Sequence, residues 1–421
     1  MKRIISLMLI LFTINLFGAE QITLDEALEI AYEKNYDYQN AKIDKENTDL
    51  EVKAGYKSAI PNIDYRGGYK LMGNDSQTML RNGNMSDQVF NHELGLNQPI
   101  YDGGKISAGI KIAKKSQNLM KYQLFDTKSQ LKLQVIDAYL KALAQKEVVK
   151  VYEFSYKDVK IEEIQAKRKY ELKLISRADY LPLKVKVLAT NTDLIEAQNK
   201  YKLTLVELKN ILGLPMESDI DLVGLEFKKY NLNLIDIDED IKYAILNNHK
   251  SRIIQLNTEI TKEKEKLSRA EFLPQIDARL AYTADDRHLQ DSMDKWYWTA
   301  GVGIQWKLFD FGKSWDTYAV SKNETKKALN EEKKNIDKIK VEIKTNYIKL
   351  TTLNSMYKSR KAELEVSEEN YQLQKKKYNQ GLISIVDYLT YESTLNNTKL
   401  DYIKTKLDYY YAYEKYLEDL K

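Results

Sequence analysis

Cysteine is absent from this chain, which excludes disulfides, thiolate metal sites, a cysteine nucleophile and a lipid anchor on an N-terminal cysteine. Histidine is scarce, and His92, His249 and His288 lie too far apart in sequence to propose a zinc site. Proline occurs five times in 421 residues, beside 30% charged residues, so long uninterrupted helices are expected. No large charge of either sign is present: setting aside Lys2 and Arg3 takes the basic count from 66 to 64, against 62 acids. Nothing in that balance points to nucleic acid. No apolar run after residue 19 is long enough to cross a membrane as a helix, so a membrane role would rest on strands. No nucleophile with a base, phosphate loop or metal cluster stands out, and Gly301-Val302-Gly303 falls within a strand pattern. Neither an enzyme nor a cofactor is expected. The methionines are scattered, which argues against a copper path lined by thioethers.

What is present begins with a targeting segment. Lys2 and Arg3 precede an apolar run from Ile4 to Phe17, then Gly18 and Ala19. That run is too short to span a bilayer and fits a secretory signal over residues 1–19. The exported chain then starts near Glu20.

The rest nearly says the same thing twice. A shift of 213 residues lays Leu24-Asp25-Glu26-Ala27 on Ile237-Asp238-Glu239-Asp240, Asn35 on Asn248, Pro61-Asn62-Ile63-Asp64 on Pro274-Gln275-Ile276-Asp277, and Tyr69 on Tyr282. The shift then becomes 208, laying Asp102-Gly103-Gly104-Lys105 on Asp310-Phe311-Gly312-Lys313 and Asp179-Tyr180-Leu181 on Asp387-Tyr388-Leu389. One structural unit used twice is expected, as residues 20–213 and 237–421. Residues 214–236 have no counterpart, and their Leu222, Val223, Leu225 and Phe227 predict a small belt packed outside the helices.

Each copy reads helix, strand, loop, strand, very long helix, tip, helix. The first helix is expected from about Thr23 to Ala59, with Thr23 and Glu26 as a capping box and Pro61 as its stop. The long helix of the first copy is expected from Lys105 to Lys173. Its Val135, Ala138, Ala142, Gln145, Val149, Tyr152, Tyr156 and Val159 alternate steps of three and four, a coiled-coil seam. A further helix is expected over Ser176–Leu212. A free fibrous coiled coil would fit these helices alone.

The strands argue otherwise. Ile63, Tyr65, Gly67, Tyr69 and Leu71 alternate with Asn62, Asp64, Arg66, Gly68 and Lys70, and the pattern recurs across 60–101 and 273–309, to Trp306 and Leu308. A soluble sheet over a core alternates in the same way, but the aromatic residues add a distance. Trp296 and Trp306 share a face ten residues apart, about 33 Å along a strand and roughly 25 Å at a tilt of about 40°, the height of an outer-membrane apolar band. Tyr65, Tyr69, Tyr282, Trp296, Trp298 and Trp306 are the expected aromatic girdle. Four strands are too few to close a barrel, which takes about eight, and open edges cannot face lipid. The chain must pool strands with copies of itself. Two copies would give a filled bore, three a bore with room for water.

The chain resembles the TolC-type outer-membrane efflux proteins. The resemblance rests on the duplicated plan, on Tyr101-Asp102-Gly103-Gly104-Lys105 and Phe309-Asp310-Phe311-Gly312-Lys313 where strand becomes helix, and on the tip sequence Lys377-Tyr378-Asn379-Gln380-Gly381-Leu382-Ile383-Ser384-Ile385-Val386-Asp387-Tyr388-Leu389. It spans essentially the whole mature chain. It implies a mainly α fold with a membrane β-barrel portion: a homotrimer closing a twelve-stranded barrel in outer-membrane lipid, on a long helical barrel reaching into the periplasm. It further implies a periplasmic membrane-fusion adaptor and an inner-membrane pump of RND, ABC or MFS type. The function implied is an exit duct for small molecules, or one dedicated to protein secretion.

The resemblance also implies roles for single residues. Asp387 falls where the family narrows its closed pore; a plain helix-capping role is the alternative for it. Thr390 stands in place of a second family aspartate, and Ile383 in place of a gate arginine. Asp179 and Tyr378 sit where the family links neighbouring helices at the closed tip, and Arg177 is available as a replacement charge. Leu174, Ile175 and Ser176, with Gly381, Leu382, Ile383 and Ser384, are the turns expected to meet the adaptor. Pro61, Pro274, Asp102, Gly104, Asp310 and Gly312 are the expected strand–helix junctions, the aspartates as caps and the glycines for backbone freedom.

Overall fold

The computed structural model describes residues 20–71, 88–225, 232, 235–286 and 296–421. The expected signal, most of both strand-connecting loops, His288 and Phe227 lie outside the described residues. The chain forms two compact units. One comprises Met1–Gln39, Thr127–Ala244 and Val341–Lys421, the other Asn40–Asp126 and Ile245–Lys340.

In chain order the first copy gives β1 (Glu20–Ile22), α1 (Leu24–Lys34), α2 (Tyr36–Lys57), β2 (Asn62–Leu71), β3 (Gln88–Tyr101), α3 (Lys105–Glu171) and α4 (Arg177–Leu212). After β4 (Ile220–Leu222) the second copy gives α5 (Ile237–Asn247), α6 (His249–Arg269), β5 (Gln275–Asp286), β6 (Trp296–Gln305), α7 (Lys313–Asn379) and α8 (Ile385–Asp419). The repeat is faithful to the residue in the longest elements: α3 and α7 both have 67 residues, about 100 Å of helix each. Among the described residues, no helix is long and apolar enough to cross a membrane.

The single first helix expected from Thr23 to Ala59 is two helices. Asn35 is extended between them; its Oδ1 accepts from the Tyr38 amide at 3.1 Å and its Nδ2 donates to the Ile211 carbonyl at 2.9 Å. Asn248, its counterpart in the second copy, does the same for α6, accepting from the amides of Lys250 and Ser251. Asparagine caps a helix start through its side-chain carbonyl, and a one-residue break leaves the apolar period almost intact. The Thr23–Glu26 capping box forms as expected.

In the first unit, β4 pairs in parallel with β1, setting Ile22 beside Leu222. Ile22, Ile220 and Leu222 are buried, and the Tyr139 hydroxyl lies 2.9 Å from the Ile22 carbonyl and 2.7 Å from that of Val223. Burial pushes this phenol up to about 12. Lys146 donates to Asp221 and to the Leu222 carbonyl. The described part of the 214–236 segment is thus anchored by residues 20–22, a partner that the repeat pattern did not expose.

In the second unit the four long strands form one antiparallel sheet in the order β2-β3-β5-β6. One face carries Ile63, Tyr65, Leu94, Leu280, Tyr282, Trp298, Val302 and Ile304, all exposed. On the other, Arg279 donates to Asn97 and Glu93 and lies 3.7 Å from Asp64, while Arg66 lies 3.0 Å from Asp64. Gly95 makes room for this cluster, since a Cβ there would sit 2.6 Å from the Arg279 guanidinium. The last strand, expected to reach Leu308, ends at Gln305. Its partner β5 begins opposite, at Gln275, and among the described residues no strand pairs with those beyond.

Candidate functional site

The two hairpin ends, α3–α4 and α7–α8, lie in the first unit. Each turns on one left-handed residue, Lys173 at φ 60° and Gly381 at φ 74°, which the 208 shift superposes. The carbonyls of Lys169 and Tyr170 accept from Leu174 and Lys173, as those of Lys377 and Tyr378 do from Leu382 and Gly381. A capping box follows in each. The Asp179 carboxylate accepts from the amide and hydroxyl of Ser176, and that of Asp387 from those of Ser384. Thr390 donates to the Val386 carbonyl, and Arg177 opens α4 exposed. Within one chain Asp179 and Tyr378 do not meet.

Tyr378 instead stacks on Tyr388, with ring centroids 4.8 Å apart. The equivalent rings of the first copy, Tyr170 and Tyr180, stack at 5.5 Å. Here the copies part company. The Tyr180 hydroxyl donates to Glu163 of its own hairpin at 2.9 Å, whereas Tyr388 is fully buried and donates to Asp158 of the other hairpin at 2.7 Å. Tyr371 and Lys375 also donate to Asp158. Burial works against the ionised Asp158, yet the hydrogen bonds from Lys375, Tyr371 and Tyr388 outweigh it and hold the carboxyl below its ordinary range.

Around this cluster Leu183, Tyr371, Ile385, Tyr388 and Leu395 form a buried core. Ile175 and Ile383 pack inward against it, so of the expected contact turns it is Leu174 and Leu382 that stand exposed. One helical turn further, buried Glu392 accepts from Ser155 and Asn396 and pairs with Lys186 at 2.8 Å. Asp158, Tyr371, Lys375 and Glu392 were not singled out from sequence. The available signal was the tyrosine pair ten residues apart recurring across the tip in both copies.

The helix α4 carries Leu181, Val185, Leu188 and Ile195 exposed at heptad-like spacing. With Ala178, Pro182 and Ala189 the first of these line an apolar groove.

In the second unit, five of the expected girdle residues, Tyr65, Tyr69, Tyr282, Trp296 and Trp298, share the apolar face. Tyr65 hydrogen-bonds His92 at 2.7 Å, Tyr69 packs on Phe90, and Tyr282 stacks on Trp296 at 4.8 Å with Trp298 opposite it in register. Trp306 lies past the strand end and donates to the Phe272 carbonyl at 3.0 Å. At the junctions, Asp102 accepts from the amides of Gly104 and Ile106, and Asp310 from the amide and hydroxyl of Ser314. Gly104 and Gly312 both adopt φ 88°, which only glycine takes readily. Pro61 and Pro274 immediately precede β2 and β5.

The family model described as outer membrane efflux protein matches residues 27–214 and 241–415. No curated protein matches the chain. Solved structures that it resembles include the Campylobacter jejuni CmeC outer membrane channel (14% identity, TM-score 0.84, covering 94% of this chain and 85% of that one). A membrane protein from Pseudomonas aeruginosa is similar (15%, 0.81, 94% and 90%). So is the open state of the Neisseria gonorrhoeae MtrE outer membrane channel (14%, 0.78, 94% and 88%).

Proposed function

The chain belongs to the outer membrane efflux protein family, and from that premise we propose that three copies close a twelve-stranded barrel and work as the exit duct of a tripartite efflux assembly. The observation that carries this reading is the sheet: four strands, an exposed apolar face, and two edge strands, β2 and β6, each paired on one side only among the described residues. Unpaired edge amides in hydrocarbon cost several kcal/mol each, so the sheet is incomplete alone. Three copies give twelve strands and a bore wide enough for water.

The hairpin ends would act as the gate. Asp387 from three copies would ring the axis and favour cations, while Leu174 and Leu382 would be covered by a periplasmic adaptor that links the duct to an inner-membrane pump. The exposed apolar row on α4 supports packing against a neighbouring copy. Small solutes are the proposed cargo, and the duct performs no chemistry of its own.

Planar-bilayer recording of the purified full-length protein tests the reading. Small cation-selective currents that grow in Asp387→Ala are expected. Absence of any channel from a properly folded, detergent-stable protein rules the duct out.

A further inference from the structure

We infer that β6 of one copy pairs antiparallel with β2 of the next in one register fixed by the repeat, setting Val302 opposite Tyr69, Gly301 opposite Lys70 and Gln305 opposite Arg66 of the second copy. This rests on the ring-closure reading above and adds to it the geometry of the seam.

The repeat predicts registers, and one such prediction is met inside the chain. Carrying β2 by 213 and β3 by 208 turns the pair Asn62↔Asn97 into Gln275↔Gln305, and Tyr65↔Leu94 into Ala278↔Val302; both are observed. The same operation on the β3–β5 junction carries Leu94↔Tyr282 to Val302↔Tyr69, Leu96↔Leu280 to Ile304↔Gly67, and Asn97↔Arg279 to Gln305↔Arg66. These last three cannot form within a chain, because β2 and β6 are opposite edges of the sheet, three strand spacings or roughly 14 Å apart. They are available only to a second copy.

Side chains agree with that register. In the chain, Arg279 lies over Gly95 and reaches Asn97, Glu93 and Asp64, all on the β2–β3 side of its strand; of these only Glu93 has no polar equivalent at the seam, where Gly301 stands. Its repeat equivalent is Arg66, and the equivalents of Gly95, Asn97 and Asp64 are Gly303, Gln305 and Asp277. The second copy's Arg66, which is 64% exposed and 3.0 Å from its own Asp64, would then turn outward over Gly303 between Gln305 and Asp277. The slot is open: a Cβ on Gly303 would meet only the Asp277 carbonyl, at 4.0 Å, and one on Gly301 nothing within 4 Å. Asp277 is exposed and has no ion pair among the described residues. A slip of one residue would turn Tyr69 to the polar face; a slip of two would set Arg66 against Lys307 in one direction and take it from Gln305 to Gly303 in the other.

The register also accounts for the short β6. In β3 the residues Gln98–Tyr101 are strand because β5 lies beside them; their equivalents Trp306–Phe309 have no strand beside them among the described residues. Beside β2 of a second copy they gain one, with Trp306 opposite Tyr65.

A chain without cysteine makes the test clean. The pairs Tyr69→Cys with Val302→Cys and Lys70→Cys with Gly301→Cys are in register, one on each face, and opposed Cβ atoms lie within disulfide reach. Tyr69→Cys with Ile304→Cys and Tyr69→Cys with Ala300→Cys are two residues out. Each full-length double variant is oxidised in detergent with copper–phenanthroline and run on a denaturing gel without reductant. At least one in-register pair is expected to form covalent dimers and trimers about tenfold faster than either displaced pair. Faster linkage of a displaced pair, or an intact trimer that neither in-register pair links, overturns the register while leaving ring closure standing. A monomer before oxidation removes ring closure and the register together.

Discussion

The buried Tyr388 hydroxyl donates across the hairpins to Asp158 at 2.7 Å, joining the turn of the second copy to the long helix of the first. Three donors converge on that one carboxylate, so its partners are not equally replaceable. Tyr388→Phe leaves Tyr371 and Lys375 in place and should cost about 1.5–2 kcal/mol, the low end for a hydrogen bond to a charged group. Asp158→Ala removes the common acceptor and leaves Lys375 facing the buried tyrosines. Because Lys375 keeps 26% exposure, its cost should fall near the low end for a broken buried pair, about 3 kcal/mol. Hydrogen exchange of the amides in 378–392 checks both, with faster exchange in Asp158→Ala than in Tyr388→Phe. Equal protection in both variants and wild type would remove the cross-hairpin link.

Glu162, one turn along from Asp158, responds to pH in the opposite sense. Burial pushes its carboxyl above the ordinary value of 4.5, with Lys375 pulling back and Asp158 adding to the rise. A raised folded value means the folded tip holds more protons than the unfolded chain, so stability grows as pH falls from neutral through that value. Asp158, held below 3.8, contributes stability that is present above 3.8 and is lost as pH falls through its lowered folded value. The tip should therefore be most stable in mild acid, at about pH 4–5, and weaken below. Glu162→Gln should raise stability at pH 7 and abolish the gain on mild acidification. Thermal melts from pH 3 to 8 decide this, and a variant retaining the full acid gain would assign it elsewhere.

How far these features were legible in sequence differs between strand and tip. Period-two alternation with tyrosine and tryptophan at its ends marks a sheet face, and β2, β3, β5 and β6 lie where that pattern puts them. The Thr23–Glu26 capping box was legible too, because a cap is a local bond between residues three apart; the same bonds at Ser176 and Ser384 fall on residues expected only as turns. The break at Asn35 was not: it is secured by the Ile211 carbonyl, 176 residues away. Asp158 was hidden for the same reason. It flanks a regular seam, and only the packing of Tyr371 and Tyr388 gives it a role. The end of β6 was misplaced because alternation continues to Leu308 while the hydrogen-bonding partner does not.

The turn of the first hairpin carries an unfavourable residue. Lys173 holds φ 60° where its repeat equivalent is Gly381, and a side chain in that region costs roughly 1 kcal/mol. Lys173→Gly should stabilise by about 0.5–1 kcal/mol, after allowing for the greater freedom of glycine in the unfolded chain. The reverse change, Gly381→Ala, has open space for its Cβ, so it should cost about 1 kcal/mol from backbone alone. Chemical denaturation of the two variants would show shifts of opposite sign. Shifts in the same direction would mean that the two turns are not equivalent.

Gly213 closes α4 under a tighter constraint. It too is left-handed, at φ 69°, but a Cβ there would lie 2.6 Å from the Lys34 carbonyl, the end of α1. That contact is with backbone, and the neighbouring Asn35–Ile211 hydrogen bond fixes the two helix ends together, so the clash cannot be relieved by rotating a side chain. Gly213→Ala should therefore cost more than Gly381→Ala, about 2–4 kcal/mol. It should also release the Asn35 side chain, which faster exchange of the Tyr38 amide would report. Gly213→Asn tolerates the left-handed backbone better but carries the same Cβ, so it separates the two causes: a loss as large as that of alanine assigns the cost to the Lys34 carbonyl, and a loss near zero assigns it to the backbone angle.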